Sequence, residues 1–283
     1  MDTNLERLRR QKEKMPNYRE VMELAEKILL EKQQVKAQGS FPPLKMDPMK
    51  IRIQMEEGFP YLRPGETPLS STRMEEYFLR MLNLLKEQNP AKHEALMKKI
   101  STRGVGFEHF LHILLENRLA ESGLSEEFGE EGSLLFFFIV QALKPTLEVQ
   151  AENWRKEQKE FAWNYGYCPF CGGLPGMGEI RGKEGKRVLH CSLCATEWDF
   201  PRMKCPYCQN EDQEKFTYFQ VEGETEYRVD ICLHCKRYLK TVDSRDRDEV
   251  PDWEVEDYLT LHLDHLAQEE GYARPLELFI GVR

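Results

Sequence analysis

Eight cysteines fall into four Cys-x-x-Cys pairs between Cys168 and Cys235, and the 167 residues before them contain none. The pairs are Cys168-Pro-Phe-Cys171, Cys191-Ser-Leu-Cys194, Cys205-Pro-Tyr-Cys208 and Cys232-Leu-His-Cys235. Two intervening residues let both thiolates face one ion while backbone N–H groups of the turn point at the sulfurs. Proline after the first cysteine and glycine after the second favour such a turn. Cys168-Pro-Phe-Cys-Gly172 has both, and Cys205-Pro-Tyr-Cys208 has the proline alone. Two knuckles joined by a short β-hairpin supply four sulfurs in a tetrahedral array. Nineteen residues separate Cys171 from Cys191, 23 separate Cys208 from Cys232, and only 10 separate Cys194 from Cys205. The simplest pairing is first with second and third with fourth, giving two consecutive four-cysteine ribbons that each bind one metal ion.

Other chemistries use the same spacing. Thioredoxin-type dithiols need a single Cys-x-x-Cys at a helix start, which four in tandem do not resemble. Structural disulfides need an oxidising compartment, and the charged opening Met1-Asp-Thr-Asn-Leu-Glu-Arg shows no apolar stretch of a secretory signal. Zinc and iron both suit a four-sulfur site, as structural staples or as redox centres, and spacing does not separate them. His190 beside Cys191 and His234 inside the fourth knuckle are alternative ligands, although four thiolates per site leave them no place to fill.

The charge pattern follows the sulfurs. The formal net charge of −9 argues against a general nucleic-acid binder, whose affinity rests on neutralising phosphates. Each four-thiolate site with a divalent ion adds −2, and two sites bring the total to about −13. Arg181, Lys183, Lys186, Arg187, Arg202 and Lys204 surround the first ribbon, and Lys236, Arg237 and Lys240 follow the last knuckle. They serve either as local charge balance or as a docking surface for an acidic or nucleic-acid partner.

The elements that must hold these knuckles are legible more coarsely. At 283 residues the chain is long enough for two domains, and its 40% apolar content suffices for a packed core. The apolar run Ser133–Leu143 is shorter than the roughly 20 residues a membrane helix needs. Val21, Leu24, Ala25 and Ile28 recur at helical spacing behind Pro16, and Gly39 with Pro42-Pro43 ends that helix. Six of the 15 prolines fall between Phe41 and Pro68, in an irregular segment whose apolar residues anchor it to the helices. Alternation at Ile51-Arg-Ile-Gln-Met55 suggests a short extended stretch. A capping box at Thr72 and Glu75 opens a helix striped by Met74, Tyr77, Phe78, Met81, Leu82 and Leu85. Two further helices are expected over 91–100 and 106–119, then an acidic loop over 123–132. A buried helix through Phe136–Leu143 is expected to break at Pro145, with a polar helix from Thr146 to about Trp163. Strands are expected at Lys186–Leu189 and Phe216–Phe219, and a closing helix over 253–270 with Leu259, Leu263 and Leu266 on one face. His109 and His112 share a helix, and His262 and His265 lie on the closing one. All four read as packing or surface residues.

No Gly-rich phosphate loop and no Ser/His/Asp context appears, and a fully cysteine-ligated metal has no open position for substrate. The reading is therefore a non-enzyme. The residues between the cysteines are more specific. Leu189-His-Cys-Ser-Leu-Cys-Ala-Thr-Glu-Trp198, Arg202 and Cys205-Pro-Tyr-Cys208 resemble the formate dehydrogenase accessory protein family, FdhE. Cys168-Pro-Phe-Cys-Gly172 with Pro175, Cys232-Leu-His-Cys235 with Tyr238-Leu-Lys240, and Gln268-Glu-Glu-Gly-Tyr-Ala-Arg274 fit the same pattern. The resemblance covers residues 167–274, and the helical part looks short for the family with a proline-rich insertion.

The resemblance implies a cytoplasmic maturation factor for respiratory formate dehydrogenase that contacts its catalytic subunit, with no membrane insertion. It implies rubredoxin-like sites for two metal ions, zinc or iron, ligated by Cys168, Cys171, Cys191, Cys194, Cys205, Cys208, Cys232 and Cys235. Thr196, Glu197 and Trp198 match a block outside the coordination sphere, either touching the partner or supporting the ribbon, with Glu197 paired to Arg202. The expected fold is α plus small β metal ribbons. An N-terminal helical bundle (1–166, irregular over 41–68) precedes two tandem rubredoxin-like, or zinc-ribbon, modules (167–200 and 201–245) and a C-terminal helix and tail (252–283). A redox-active rubredoxin-like iron protein and a zinc-ribbon nucleic-acid-binding protein are the rival readings.

Overall fold

Stripes of apolar side chains every three or four residues set the helical part. A computed structural model describes residues 3–39, 41–42, 44, 46–63, 71–115, 128–157, 162–247 and 251–275. Its helices are α1 (Thr3–Lys14), α2 (Arg19–Gln38), α3 (Pro48–Glu56), α4 (Ser71–Gln88), α5 (Pro90–Arg103), α6 (Phe107–Leu115), α7 (Glu130–Glu157), α8 (Trp253–Leu259) and α9 (Leu261–Glu269). The stripe of α4 is wholly buried and packs on α2, α5, α6 and α7, with the Tyr77 hydroxyl donating to the Ile28 carbonyl at 2.9 Å. The core continues along α7 through Leu135, Phe138, Ile139, Leu143, Leu147 and Trp154.

Several local expectations are corrected. Pro145 lies inside α7 instead of breaking it. A proline removes one helical hydrogen bond, but Leu143, Leu147 and Ala151 on both sides of it are buried in one core, which keeps the axis continuous. Residues 51–55 are helical in α3, not extended. Asp47 caps the Met49 N–H at 2.9 Å and Pro48 takes the first turn, a start signal stronger than five alternating residues. On α2, Val21 is exposed, and the inner face is instead Met22, Ala25, Ile28, Leu29, Lys32 and Val35. The unforeseen α1 explains the shift, because Leu5 and Leu8 cover Met22 and Leu29 together with Val255 and Leu259 of α8. Helix α4 begins at Ser71, so Thr72 is within the helix and is not its cap. Residues 116–119 and the first half of the 123–132 loop (123–127) lie outside the described residues, as do 158–161, while 130–132 are the first turn of α7 and not loop.

The closing helix is two helices. Thr260 interrupts it, with the Lys240 ammonium donating to the carbonyls of Asp257 and Thr260 at 2.8 and 3.3 Å. The Thr260 carbonyl also accepts the Leu263 N–H at 3.0 Å, a tighter i to i+3 bond where one helix gives way to the next. Leu259 and Leu263 face inward as expected, Leu266 is exposed, and Ala267 takes its place in the core.

Strands β1 (Pro175–Arg181), β2 (Lys186–Cys191), β3 (Glu197–Asp199), β4 (Phe216–Phe219), β5 (Tyr227–Cys232) and β6 (Arg237–Asp243) form one sheet, ordered β3-β2-β1-β6-β5-β4. Neighbours are antiparallel except β1 and β6, which pair in parallel from Met177↔Lys240 to Ile180↔Asp243. The two ribbons are thus fused edge to edge. The helices α8 and α9 cover one face, where Lys240 is fully buried against Asp264 at 2.6 Å and the Tyr238 hydroxyl donates to Asp264 at 2.8 Å. The proline-rich segment reaches the first knuckle. Tyr61 and Leu62 donate backbone N–H groups to Pro169 and Phe170, and the Tyr61 and Phe170 rings stack at 5.6 Å. Among the described residues one helix, α7, is long and apolar enough to cross a membrane, and its apolar side chains form this core.

Candidate metal centres

Each knuckle is made by the same backbone device. The residue after the second cysteine takes a left-handed conformation in all four: Gly172 (φ 74°), Ala195 (φ 53°), Gln209 (φ 60°) and Lys236 (φ 59°). This turns the chain back so that the residue after the pair hydrogen-bonds to the first cysteine's carbonyl, as in Gly172 to Cys168 at 2.9 Å and Lys236 to Cys232 at 2.9 Å. Glycine fills this position only once. Alanine, glutamine and lysine accept it elsewhere, and this is why the glycine signal marked only one knuckle in the sequence.

The eight sulfurs meet in two groups. Cys168, Cys171, Cys191 and Cys194 form one and Cys205, Cys208, Cys232 and Cys235 the other, with all ligand atoms of a group within 4.8 Å. In the first, Cys168 and Cys194 sulfurs are 3.5 Å apart, as are those of Cys171 and Cys191. In the second, Cys205–Cys235 and Cys208–Cys232 are each 3.7 Å apart. A disulfide is about 2.05 Å long, so these are free thiols. Four sulfurs each about 2.3 Å from a tetrahedral ion lie about 3.8 Å from one another. The donor set and its spacing fit a tetrahedral metal at each site. Cys171 and Cys191 sulfurs also receive backbone N–H groups, from Gly173 and Leu193, both at 3.4 Å. A Cβ at Gly173 would stand 3.1 Å from the Cys191 sulfur and 3.2 Å from that of Cys171. The bare backbone therefore lets two thiolates approach it.

The sites differ in exposure. All four cysteines of the first are buried, whereas Cys208 and Cys235 of the second are half-exposed. Burial pushes the Cys171 and Cys194 thiols well up, and in the second site that of Cys235 to about 11. Protons and metal therefore compete for these sulfurs. His190 and His234 belong to neither cluster. The His190 ring stacks on Trp253 at 3.5 Å and its Nε2 lies 3.0 Å from Glu179, while His234 is exposed. His109 packs edge-on to Phe110, and the side chain of His112 is outside the described residues. His262 pairs with Glu224 at 2.8 Å, and His265 is an exposed partner of Glu269.

The block after Cys194 acts in three ways. Thr196 is buried with its hydroxyl 3.1 Å from the Cys194 sulfur, a contact that orients a ligand from behind. Trp198 is buried and its indole N–H donates to the Tyr165 carbonyl at 3.1 Å. Only Glu197 presents an exposed side chain, and it pairs with Arg181 at 2.9 Å instead of Arg202. Glu179, His190 and Glu197 form a third cluster of metal-type donors. Arg181 already occupies it, donating to Glu179 at 2.6 Å and to Glu197. Burial by itself would raise the Glu179 pKa, but hydrogen bonds from His190 and Arg181 outweigh it and hold it at about 2. The cluster is an ion-pair network, and its positive charge is a guanidinium.

The basic residues divide likewise. Lys186 pairs with Asp199 at 2.6 Å, Lys204 with Glu211 at 3.0 Å, and Arg187 and Lys240 are buried. Arg187 and Lys240 lie on strands buried on their two faces, β2 and β6, where alternation leaves no solvent side.

Residues 167–202 match the model of the FdhE central domain and residues 203–278 that of the FdhE C-terminal domain. A protein FdhE homolog of Aquifex aeolicus (strain VF5) is 28% identical over 275 residues, 95% of this chain and 91% of that one, so the likeness extends into the helical part. Protein FdhE of Escherichia coli (strain K12) is 35% identical over 122 residues, 42% of this chain and 38% of that protein. The crystal structure of the FdhE protein from Pseudomonas aeruginosa aligns with a TM-score of 0.63 at 26% identity, covering 98% of this chain and 95% of that chain. The four knuckles, both domain matches and the shared fold agree: residues 167–278 match the FdhE central and C-terminal domains, and the chain as a whole is similar to FdhE proteins in sequence and fold.

Proposed function

We propose that the protein is a non-catalytic maturation factor that binds the catalytic subunit of a formate dehydrogenase and assists its assembly. The observation that carries this is the pair of four-cysteine clusters in a chain whose residues 167–278 match the FdhE domains. Four thiolates close the coordination sphere of a zinc or iron ion at each site and leave no position for a substrate. The eight cysteines hold the metals, and Thr196 and Gly173 shape the first site around them. Zinc or ferrous iron supplies a fixed tetrahedral centre there, and the buried first site is a staple for the core it adjoins. The free thiols fit a reducing compartment, in keeping with a cytoplasmic factor.

The domains on this reading are 1–166, 167–200, 201–245 and 252–283, the last three built round the common sheet. The partner's contact lies beside Glu197, at the rim of a cleft of about 930 Å³ whose walls include Trp154, Trp163 and Trp198. Thr196 and Trp198 position that rim from beneath. A second reading, electron transfer through iron, is favoured at the second site by the half-exposed Cys208 and Cys235.

Deleting the gene tests the proposal. Formate dehydrogenase activity should be lost in the deletion strain and restored by the intact chain, but not by one with Cys168→Ser and Cys208→Ser. Full activity without the gene would overturn it.

A further inference from the structure

The sheet face turned away from α8 and α9 carries a cavity beside the second cysteine cluster. Cross-strand pairs Phe216↔Cys232, Tyr218↔Asp230, Cys232↔Arg237 and Asp230↔Leu239 set its floor. Arg187 of β2 and the 202–207 loop close it to about 270 Å³. Five cations line it, Arg187, Arg202, Lys204, Arg228 and Arg237, against a single carboxylate, Asp230.

That carboxylate is already engaged. Arg228 pairs with Asp230 at 2.9 Å and the Thr241 hydroxyl donates to it at 2.7 Å. Lys204 pairs with Glu211, whose side chain is well exposed. Arg187 is only 6% exposed and has no carboxylate partner among the described residues. Its Nη1 meets the carbonyls of Pro201, Arg202 and Lys204 at 3.5, 3.4 and 3.1 Å, and its Nε has no hydrogen-bond partner. Burial draws its pKa below the ordinary arginine value. It also lies 5.9 Å from the Phe200 ring, and a buried guanidinium without a paired carboxylate is costly unless an anion joins it. Arg202 is exposed and likewise has no ion pair among the described residues. With four thiolates and a divalent ion the second site carries a formal charge of −2 near Cys205 and Cys232, which still leaves the wall net positive.

Three aromatic rings, Tyr207, Phe216 and Tyr218, share the rest of the lining with aliphatic side chains such as Met203 and Leu239. Arg228 lies over the Tyr218 ring at 5.3 Å and Arg237 over Tyr207 at 6.0 Å. We infer that this cavity binds a small organic anion, its phosphate or carboxylate group received by Arg187, Arg202 and Arg228 and its planar body laid against Tyr207, Phe216 and Tyr218. Arginine forks match such oxyanions in two-point contact, and the cavity is too large for the oxyanion alone.

Titration calorimetry of the metal-loaded full chain at low ionic strength tests this, with phenyl phosphate and inorganic phosphate as probes. Phenyl phosphate should saturate and bind roughly tenfold more tightly than inorganic phosphate. Arg202→Gln should weaken both by roughly tenfold, the loss of one charge-assisted contact. Tyr218→Leu, at an exposed side chain, should weaken phenyl phosphate alone. No saturable binding of either probe would overturn the inference, as would unchanged binding in Arg202→Gln. Loss of metal from Arg202→Gln with phosphate binding intact would assign these arginines to the thiolates instead. Equal affinity for the two probes would contradict the aromatic contact.

Discussion

The Thr196 hydroxyl sits 3.1 Å from the Cys194 sulfur, and both side chains are shut off from solvent. The Cys194 thiol donates to that hydroxyl here. Once a metal displaces the thiol proton the hydroxyl is placed to turn and donate to the thiolate, and loss of such a contact typically costs 10–100-fold in metal affinity. Thr196→Val keeps the shape and removes the donor. It should weaken metal binding at the first site by roughly tenfold in a chelator competition and leave the second site unchanged.

Ala195 is exposed and held at φ 53°, a conformation that costs an L-residue about 1 kcal/mol relative to glycine. Ala195→Gly should therefore stabilise the metal-loaded protein by about that amount in urea unfolding. Gly172→Ala should do the reverse, because at φ 74° its new Cβ would also stand 3.1 Å from Pro60.

The two sites should fail differently. Cys168 and Cys171 belong to the same core as α4 and α7, whereas Cys208 and Cys235 lie at the surface of the second ribbon. Cys168→Ser should release one metal ion and lower the melting temperature of the helical part. Cys208→Ser should release the other and leave the helical transition within a few degrees of its original position. Metal quantification with circular dichroism at 222 nm distinguishes the two outcomes.

Glu254 joins three elements, paired with Lys32 of α2 and with Lys144 of α7 at 2.7 Å. Burial alone would raise its pKa, but the two ammonium groups outweigh it and hold it at about 2. A folded pKa below the unfolded value stabilises above the unfolded value, near 4.5, and that contribution fades as pH falls toward 2. Glu254→Gln leaves the largely buried Lys144 without its carboxylate and Lys32 with Glu148 alone, at 2.8 Å, and should cost roughly 3 kcal/mol at neutral pH. The difference from the parent protein should shrink below pH 4.5, as read by paired urea titrations.

What was legible in the sequence was local. A Cys-x-x-Cys pair carries its own turn, so the grouping of the eight cysteines into two clusters could be read from spacing, as could the stripe of α4. Long-range contacts could not. Whether Lys240 is a surface cation or the buried group at the break between α8 and α9 depends on Asp264, 24 residues away. Pro145 reads as a helix end until the core on both sides of it is known. Thr196 resembled a surface motif residue because nothing in its neighbours shows that its hydroxyl points inward at Cys194. The parallel pairing of β1 with β6 joins strands some 60 residues apart, for which neither ribbon carries a local signal.

Native mass spectrometry of the chain isolated anaerobically from its own cells is the most direct test of the account. It should detect the chain with two metal ions in complex with the catalytic subunit of a formate dehydrogenase. A chain isolated without metal, or with two ions and never with that subunit, would contradict it.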